Sequence, residues 1–439
     1  MLKIKDISNK IGEDLSNTIL SFSSKLIGMV IFLCTDIVIA RLLSKDNYGE
    51  WSFYYSVVSM CFWLVWFGIN EAAKVFVAKT SEDTISQNNT IIAALKLRCI
   101  VSFIWIIILL LVWWLGNGYI SNYFVKYPNL TSLLLSGVFL SFFNSISEFF
   151  KAVYIGLIRF RYIFVITIVE FCGNFLFGIG LLYITGAVVG LGWGYVIAAF
   201  CTNIWGSYLL KKYLKKNSYE ALGKTYTNKK MKAIFHYAMP LFVVSIGALL
   251  LTEVDVFMLG VMREGAETGI YSIAKNLMGK VTHINLAICT STMTAFAVIN
   301  ESNILNKKFH FIKIMKINMV LSLVISLGIY IFAPLIVTIL YGAQYEMVGA
   351  VIRYLIPYYI FFSVTIFMAA LVDYQGMANK RIFSYFLMIF LNVLLNYLLI
   401  PKYGAVGAAI ATDISMIPYV VGLVYLSIKV FLQKNIGDI

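Results

Sequence analysis

Charge is scarce in this chain. Only 13% of its 439 residues are Asp, Glu, Lys or Arg, where a soluble domain carries about a quarter. With 61% hydrophobic residues and a mean hydropathy of +0.85, that shortage excludes an ordinary soluble enzyme. Proline is rare, at 6 residues, and the 30 glycines follow no repeat, so low-complexity and collagen-like sequence are excluded too. The cysteines Cys34, Cys61, Cys99, Cys172, Cys201 and Cys289 all lie in or beside apolar runs, and none forms a CxxC pair. A disulfide framework or zinc site is therefore not expected, and they read as free thiols. The first eighteen residues are polar and mixed in charge. They lack a short apolar core ending in small residues, so no removable signal peptide is expected.

Large hydrophilic segments are missing as well. The longest, the Lys-rich run 211–232, suits a lipid-surface linker and is too short for a soluble domain. Gly190-Leu191-Gly192-Trp193-Gly194 superficially resembles a phosphate loop, but it follows no strand and opens an apolar segment. Close helix packing is the expected role, and ATP hydrolysis has no support. Lys and Arg (35) outnumber Asp and Glu (21), for a net charge of +14. In a soluble protein this would suggest nucleic acid. Here it fits loops facing an anionic leaflet, and no nucleic-acid partner is expected.

What is present is apolar helix. A membrane-crossing helix needs about 20 mostly apolar residues, and twelve stretches qualify: 19–40, 50–70, 92–115, 131–152, 162–184, 187–210, 237–261, 270–297, 317–340, 348–372, 382–400 and 405–428. If the N-terminus is cytoplasmic, 26 of the 35 Lys and Arg fall on cytoplasmic segments and 6 on the opposite side. The remaining Lys25, Lys275 and Lys280 lie within spans. This asymmetry predicts a multi-pass protein with both termini cytoplasmic. The expected organisation is a tail at 1–18, a six-helix bundle at 19–210, a basic linker at 211–236, a second six-helix bundle at 237–430 and a tail at 431–439.

The halves align with each other. Asp36 begins DIVIARLLSKDNYGEWSFYYS and Asp255 begins DVFMLGVMREGAETGIYSIAK; Gly156 matches Gly376, and Gly186 matches Gly404. The offsets are 219, 220 and 218 residues. Six spans per half make the repeats parallel, and the predicted fold is an all-α integral membrane protein of about 12 transmembrane helices in two such repeats around a central cavity. That is transporter architecture, in which one bundle rocks against the other to give alternating access.

The same segments carry a family resemblance. ARLLSKDNYGEWSFYYS at 40–56, YIGLIRFRYIFVI at 154–166, DVFMLGVMREGAETGIYSIAK at 255–275 and LNYLLIPKYGAVGAAIAT at 395–412 resemble the polysaccharide transporter family. This family comprises the O-antigen and capsule repeat-unit flippases of the multidrug/oligosaccharidyl-lipid/polysaccharide exporter superfamily. The resemblance implies a bacterial inner-membrane transporter rather than an enzyme. Its substrate would be an undecaprenyl-pyrophosphate-linked oligosaccharide flipped to the outer leaflet for O-antigen, capsule, lipopolysaccharide or related surface polysaccharide. Membrane lipids, a polysaccharide polymerase and a chain-length regulator are the implied partners. No cofactor is implied beyond coupling to H+ or Na+.

A pyrophosphate-linked glycan needs cations and hydrogen-bond donors, and ionisable residues inside spans are functional candidates because they are costly there. Lys280 lies about mid-span, with Asn276 and His283 on its face at i−4 and i+3. It reads as a substrate contact, or else as the partner of an acid such as Glu170. Lys25 lies three turns from Asp36 on one face and is a further substrate candidate, as are Lys275 and Arg353. Asp36, Glu170, Asp255 and His283 are the candidates for ion coupling. The competing roles are pairing of Asp36 or Asp255 with Arg41 or Arg263, and pairing of Glu170 with Lys280 or Lys275. Glu253 lies about 200° round the helix from Asp255, so the two are not expected to face one cavity. Glu148 and Lys151 read as an i,i+3 pair. Trp113, Trp114, Tyr119, Tyr341 and Tyr345 read as interfacial anchors.

An ion-coupled multidrug or small-molecule exporter of the same fold is the alternative function. A membrane polysaccharide polymerase fits less well, because such enzymes need a substantial external loop with Arg or His residues.

Overall fold

The computed structural model describes residues 2–216, 223–298 and 304–433. Side chains are described from residue 19 onward, apart from 21, 216, 224, 225, 243–245, 248, 250, 251, 294–298, 304–307, 432 and 433. Part of the expected linker (217–222) and most of the expected C-terminal tail (434–439) lie outside the described residues.

The described chain is helical with no strand. Its helices are α1 (Leu2–Leu42), α2 (Lys45–Trp66), α3 (Ile69–Lys79), α4 (Thr84–Tyr123), α5 (Leu130–Gly156), α6 (Phe160–Gly173), α7 (Ile179–Thr185) and α8 (Val188–Lys216). Then follow α9 (Lys224–Met262), α10 (Gly265–Val298), α11 (Ile304–Tyr341), α12 (Glu346–Tyr354), α13 (Ile356–Tyr374) and α14 (Ile382–Gln433). A π-helical turn, Asn174–Gly178, joins α6 to α7. Helices are the expected solution in hydrocarbon, where each backbone N–H and C=O needs a partner within its own segment.

Among the described residues, eight helices are long and apolar enough to cross a membrane, or nine if the pair α2 and α3, bent by 43°, is one broken span. This measure does not reach the predicted twelve. One reason is that α14 carries two predicted spans, meeting at Gly404 where the backbone leaves the helical region (φ 54°, ψ −130°). The helices α9 and α10, over the expected spans 237–261 and 270–297, are also not among the eight. The stretch 348–372, though divided at Leu355 into α12 and α13, still contributes one candidate, Ile356–Tyr374. The apolar surface points outward as lipid contact requires: on α4, Phe103, Ile107, Leu111 and Val112 are all exposed.

Two compact units form. The first comprises residues 1–43 and 54–249, the second residues 44–53 and 250–439. In the first, a core of Ile69, Val77, Phe149, Tyr154, Ile166 and Leu210 joins α3, α5, α6 and α8. The glycines of the 190–194 segment serve as packing contacts: Gly192 faces Ser136 and Leu133, and Gly194 sits against the backbone of Phe177 and Gly178. In the second unit, Gly49 backs directly onto Gly265, and Asp46 Oδ1 accepts a hydrogen bond from Ala266 N at 3.0 Å, capping α10. Tyr341 and Tyr345 are fully buried here, with Tyr345 edge-on to Tyr48 at 5.9 Å and to Tyr341 at 6.3 Å. The expectation of interfacial anchoring fails for these two, because they fill the unit's core. Trp114 and Tyr119 are exposed.

The repeat leaves a backbone signature. Ile158 N donates to Ile155 O and Arg159 N to Tyr154 O; Gly376 N donates to Asp373 O and Met377 N to Val372 O. Both patterns close the end of a helix, and their offset is 218 residues. The left-handed residues are Ile158 (φ 54°) and Gly376 (φ 68°). The structural counterpart of Gly376 is therefore Ile158, and the Gly156 alignment is two residues out of register. Gly156 is conspicuous for another reason, its close approach to Lys74 O and Val77.

Candidate functional site

In the second unit, α9, α10, the start of α13 and α14 surround a cavity of about 280 Å3. Polar residues dominate its lining on α9 and α10: Thr252, Glu253, Asp255, Lys275, Lys280 and His283. Asn276, Tyr271, Tyr358 and Thr412 complete the polar set. Helical spacing explains why α10 supplies so much of this wall. Tyr271 and Lys275 are one turn apart, Asn276 and Lys280 likewise, and His283 continues the stripe.

Asp255 is the centre of the polar network and is 1% exposed. Its Oδ1 accepts from Asn396 Nδ2 at 2.7 Å. Its Oδ2 accepts from Tyr271 Oη at 2.9 Å and from Thr412 Oγ1 at 3.1 Å. Lys275 Nζ lies 3.6 Å from Oδ2, donates to the Thr252 carbonyl, and sits 5.9 Å from the Tyr271 ring centroid. The carboxylate is thus held by three hydrogen-bond donors and one cation, which offsets the cost of burying it. Asn396 Nδ2 also reaches Asn392 Oδ1 at 3.1 Å, while Asn396 Oδ1 is buried with no hydrogen-bond partner. Asp255, Thr412, Asn392 and Asn396 together place several oxygen atoms within a small volume.

The structure gathers Asp255, Lys275, Asn276, Lys280 and His283 from the sequence candidates into this cavity. Arg353 is not among them. On α12 it donates from Nε to Tyr330 O at 3.0 Å and stacks 5.0 Å from the Tyr330 ring. Lys25 is exposed on α1, and Asp36 is buried on the same helix, both in the first unit.

Several expected pairings are replaced by others. Glu170 pairs with Lys151 at 2.5 Å rather than with Lys280 or Lys275, and Lys151 also meets Glu148 at 2.6 Å, as its i,i+3 spacing suggests. Arg263 pairs with Glu267 at 2.6 Å rather than with Asp255, because the turn between α9 and α10 brings an i,i+4 carboxylate closer. Glu253 and Asp255 line the same cavity, against expectation. The 200° between their Cα directions does not bound the reach of a flexible glutamate.

Sequence reasoning missed Tyr271, Tyr358, Asn396 and Thr412. Tyr271 lies in the repeat segment that begins at Asp255, but an aromatic ring gives no local sign of a carboxylate partner. At the repeat offset of 219, Lys275, Lys280 and His283 correspond to Ser56, Cys61 and Leu64. The cations of this cavity therefore belong to the second half alone.

These features define a multi-pass membrane protein with a transporter fold. A model of the family described as polysaccharide biosynthesis protein matches residues 15–296, and the chain belongs to that family. A curated relative, the probable low-salt glycan biosynthesis flippase Agl15 of Haloferax volcanii, is 23% identical over 218 residues. The alignment covers 49% of this chain and 44% of that protein, so it spans less than half the relative's length. The solved structure of the lipid II flippase MurJ in an inward closed conformation superposes with a TM-score of 0.74 at 13% identity, covering 96% of this chain and 93% of that one. An inward-facing multidrug resistance MATE family transporter of the MOP superfamily gives 0.70 at 12% identity, covering 95% and 99%. At such identities the likeness is one of fold.

Proposed function

We propose that the protein is a flippase that carries an undecaprenyl-pyrophosphate-linked oligosaccharide repeat unit from the inner to the outer leaflet of a bacterial cytoplasmic membrane by alternating access. The glycan serves O-antigen, capsule or a related surface polysaccharide, and both termini are cytoplasmic. The observation that carries this reading is the polar, lysine-bearing cavity of the second unit in a chain of the polysaccharide biosynthesis family. Lysines within membrane-crossing helices are costly, and a diphosphate is a substrate that makes them useful. Lys275 and Lys280 meet the anionic linkage; Asn276 and Thr252 offer hydrogen bonds to sugar hydroxyls; the polyprenyl tail stays in lipid.

The oxygen-rich surroundings of Asp255 suit coupling to Na+ or H+, with His283 as a second titratable group lining the same space. Asp36 and Glu170 are weaker coupling candidates; Glu170 already has Lys151 as its counter-ion.

The test uses a deletion strain complemented with wild type or with Lys280→Ala. Surface polymer and undecaprenyl-linked repeat units are quantified together by mass spectrometry. The expected result is loss of polymer with single repeat units accumulating on the cytoplasmic face, in the deletion fully and in Lys280→Ala substantially. Normal polymer with no lipid-linked intermediate in the deletion overturns the proposal and favours drug or metabolite export. Units accumulating on the outer face point instead to a polymerase.

A further inference from the structure

The first unit contains a cavity of opposite character. It lies between α4, α5 and α8, encloses about 820 Å3, and is walled by apolar side chains that include Leu95, Phe143, Ile146, Phe150 and Ile204. That volume is near the upper end of the roughly 300–1,000 Å3 typical of small-molecule sites. Polar groups enter it in a single row. Asn203, Ser207, Lys211 and Lys215 recur at i+4 along α8, so they share one face, and all four line the cavity. Twelve residues of helix span about 18 Å, so the row grades from two cations at one end to an amide at the other.

Neither Lys211 nor Lys215 has a hydrogen-bond or ion-pair partner among the described residues, and both are exposed. Asn203 is only 9% exposed. Its Nδ2 donates to Phe143 O at 2.9 Å, Ser147 Oγ at 3.0 Å and Ala199 O at 2.8 Å, whereas its Oδ1 is buried with no hydrogen-bond partner. Buried acceptors are normally satisfied by protein or by ordered water. An apolar trough with an amide and a hydroxyl residue on its wall and, at one end, two cations that have no partner among the described residues is complementary to an anionic amphiphile.

We infer that this groove binds an anionic glycerophospholipid from the leaflet facing the basic segment 211–232. The phosphate meets Lys211 and Lys215, as in other basic pockets between transmembrane helices. Ser207 and Asn203 lie at the depth of the glycerol esters and the water they hold, and the acyl chains run along Phe143, Ile146 and Phe150. A polyprenyl diphosphate fits less well, because its hydrocarbon begins directly at the phosphate and would lay bare isoprene against Ser207 and Asn203. The groove is therefore assigned to a resident lipid and is separate from the substrate site proposed above.

The test is native mass spectrometry of the purified full chain after exchange with equimolar phosphatidylglycerol and phosphatidylcholine. The expected result is preferential retention of phosphatidylglycerol. Lys211→Gln with Lys215→Gln reduces that retention at least about ten-fold, since each basic residue near an anionic headgroup contributes roughly five-fold. Retention of phosphatidylcholine stays unchanged. The control pair Lys313→Gln with Lys316→Gln, exposed on α11, retains the preference. Ser207→Trp, which fills the groove from its open side, lowers retention of both lipids and gives a second readout that does not depend on charge. Equal retention of the two lipids by wild type, or equal loss in the control pair, overturns the inference. Undecaprenyl phosphate displacing phosphatidylglycerol at equal concentration also overturns it and assigns the groove to the substrate tail.

Discussion

Ile158 and Gly376 hold the same backbone position in the two halves of the chain. Each is the left-handed residue after a helix end, at φ 54° and 68°, with matching hydrogen bonds around it. A left-handed conformation costs an L-residue roughly 1–2 kcal/mol, and a β-branched one most of all, whereas glycine adopts it freely.

Ile158→Gly is accordingly expected to stabilise the protein by about 1 kcal/mol, because Ile158 is 62% exposed and gives up little packing. Gly376→Ala is expected to cost about the same, through backbone strain alone, since a Cβ there meets no neighbour within 4 Å. Unfolding of both variants in one lipid-detergent mixture checks the pair. Equal stability in the two would show that the left-handed geometry carries no cost.

Lys151 is the shared counter-ion of Glu148 on α5 and Glu170 on α6. Lys151→Met strands the mostly buried Glu170 without a cation and is expected to destabilise by about 3 kcal/mol or more. Adding Glu170→Gln should recover a good part of that loss, because the stranded charge rather than the missing contact is the main cost. A double-variant cycle read by unfolding measures it.

Arg98 is fully buried on α4 and completes the end of α2. Its guanidinium donates to Trp66 O at 2.7 Å, to Val65 O, and to Ser102 Oγ at 3.0 Å. Immediately afterwards, Phe67 and Gly68 both take positive φ and the chain bends into α3. The last carbonyls of a helix lack intrahelical partners, and the arginine fork supplies them here. Arg98→Met is expected to cost about 3 kcal/mol. Arg98→Lys should fall between, since an ammonium cannot reproduce the fork. Amide exchange at residues 63–70 would localise the effect.

Asp255 ties α9 to α10 and α14 through Tyr271, Thr412 and Asn396. Tyr271→Phe removes one donor and should cost roughly 1 kcal/mol. Asp255→Leu strands Lys275 and three polar side chains, and about 3–5 kcal/mol is expected. Asp255→Asn keeps the shape and should fold. If Asp255 couples transport, this variant loses the response of polymer export to an imposed Na+ or H+ gradient. An unchanged response would remove Asp255 from the coupling role.

Much of the molecule was legible from local pattern. Composition and apolar run length depend only on the chain, so membrane class, helical architecture and the two-fold repeat could be read directly. The stripe Asn276, Lys280 and His283 was equally legible, because i,i+4 and i,i+3 spacing on one helix fixes a common face whatever the surroundings.

What tertiary structure alone decided was which faces meet. Asn396 and Thr412 reach Asp255 across 141 and 157 residues, Tyr341 and Tyr345 are buried rather than anchored at an interface, and Glu170 takes Lys151 as its partner. Helical periodicity gives the direction of a side chain about its own axis. The identity of the neighbour comes from how helices pack, and in this chain packing is set by close glycine contacts and broken helix ends, whose consequences extend far beyond any local window.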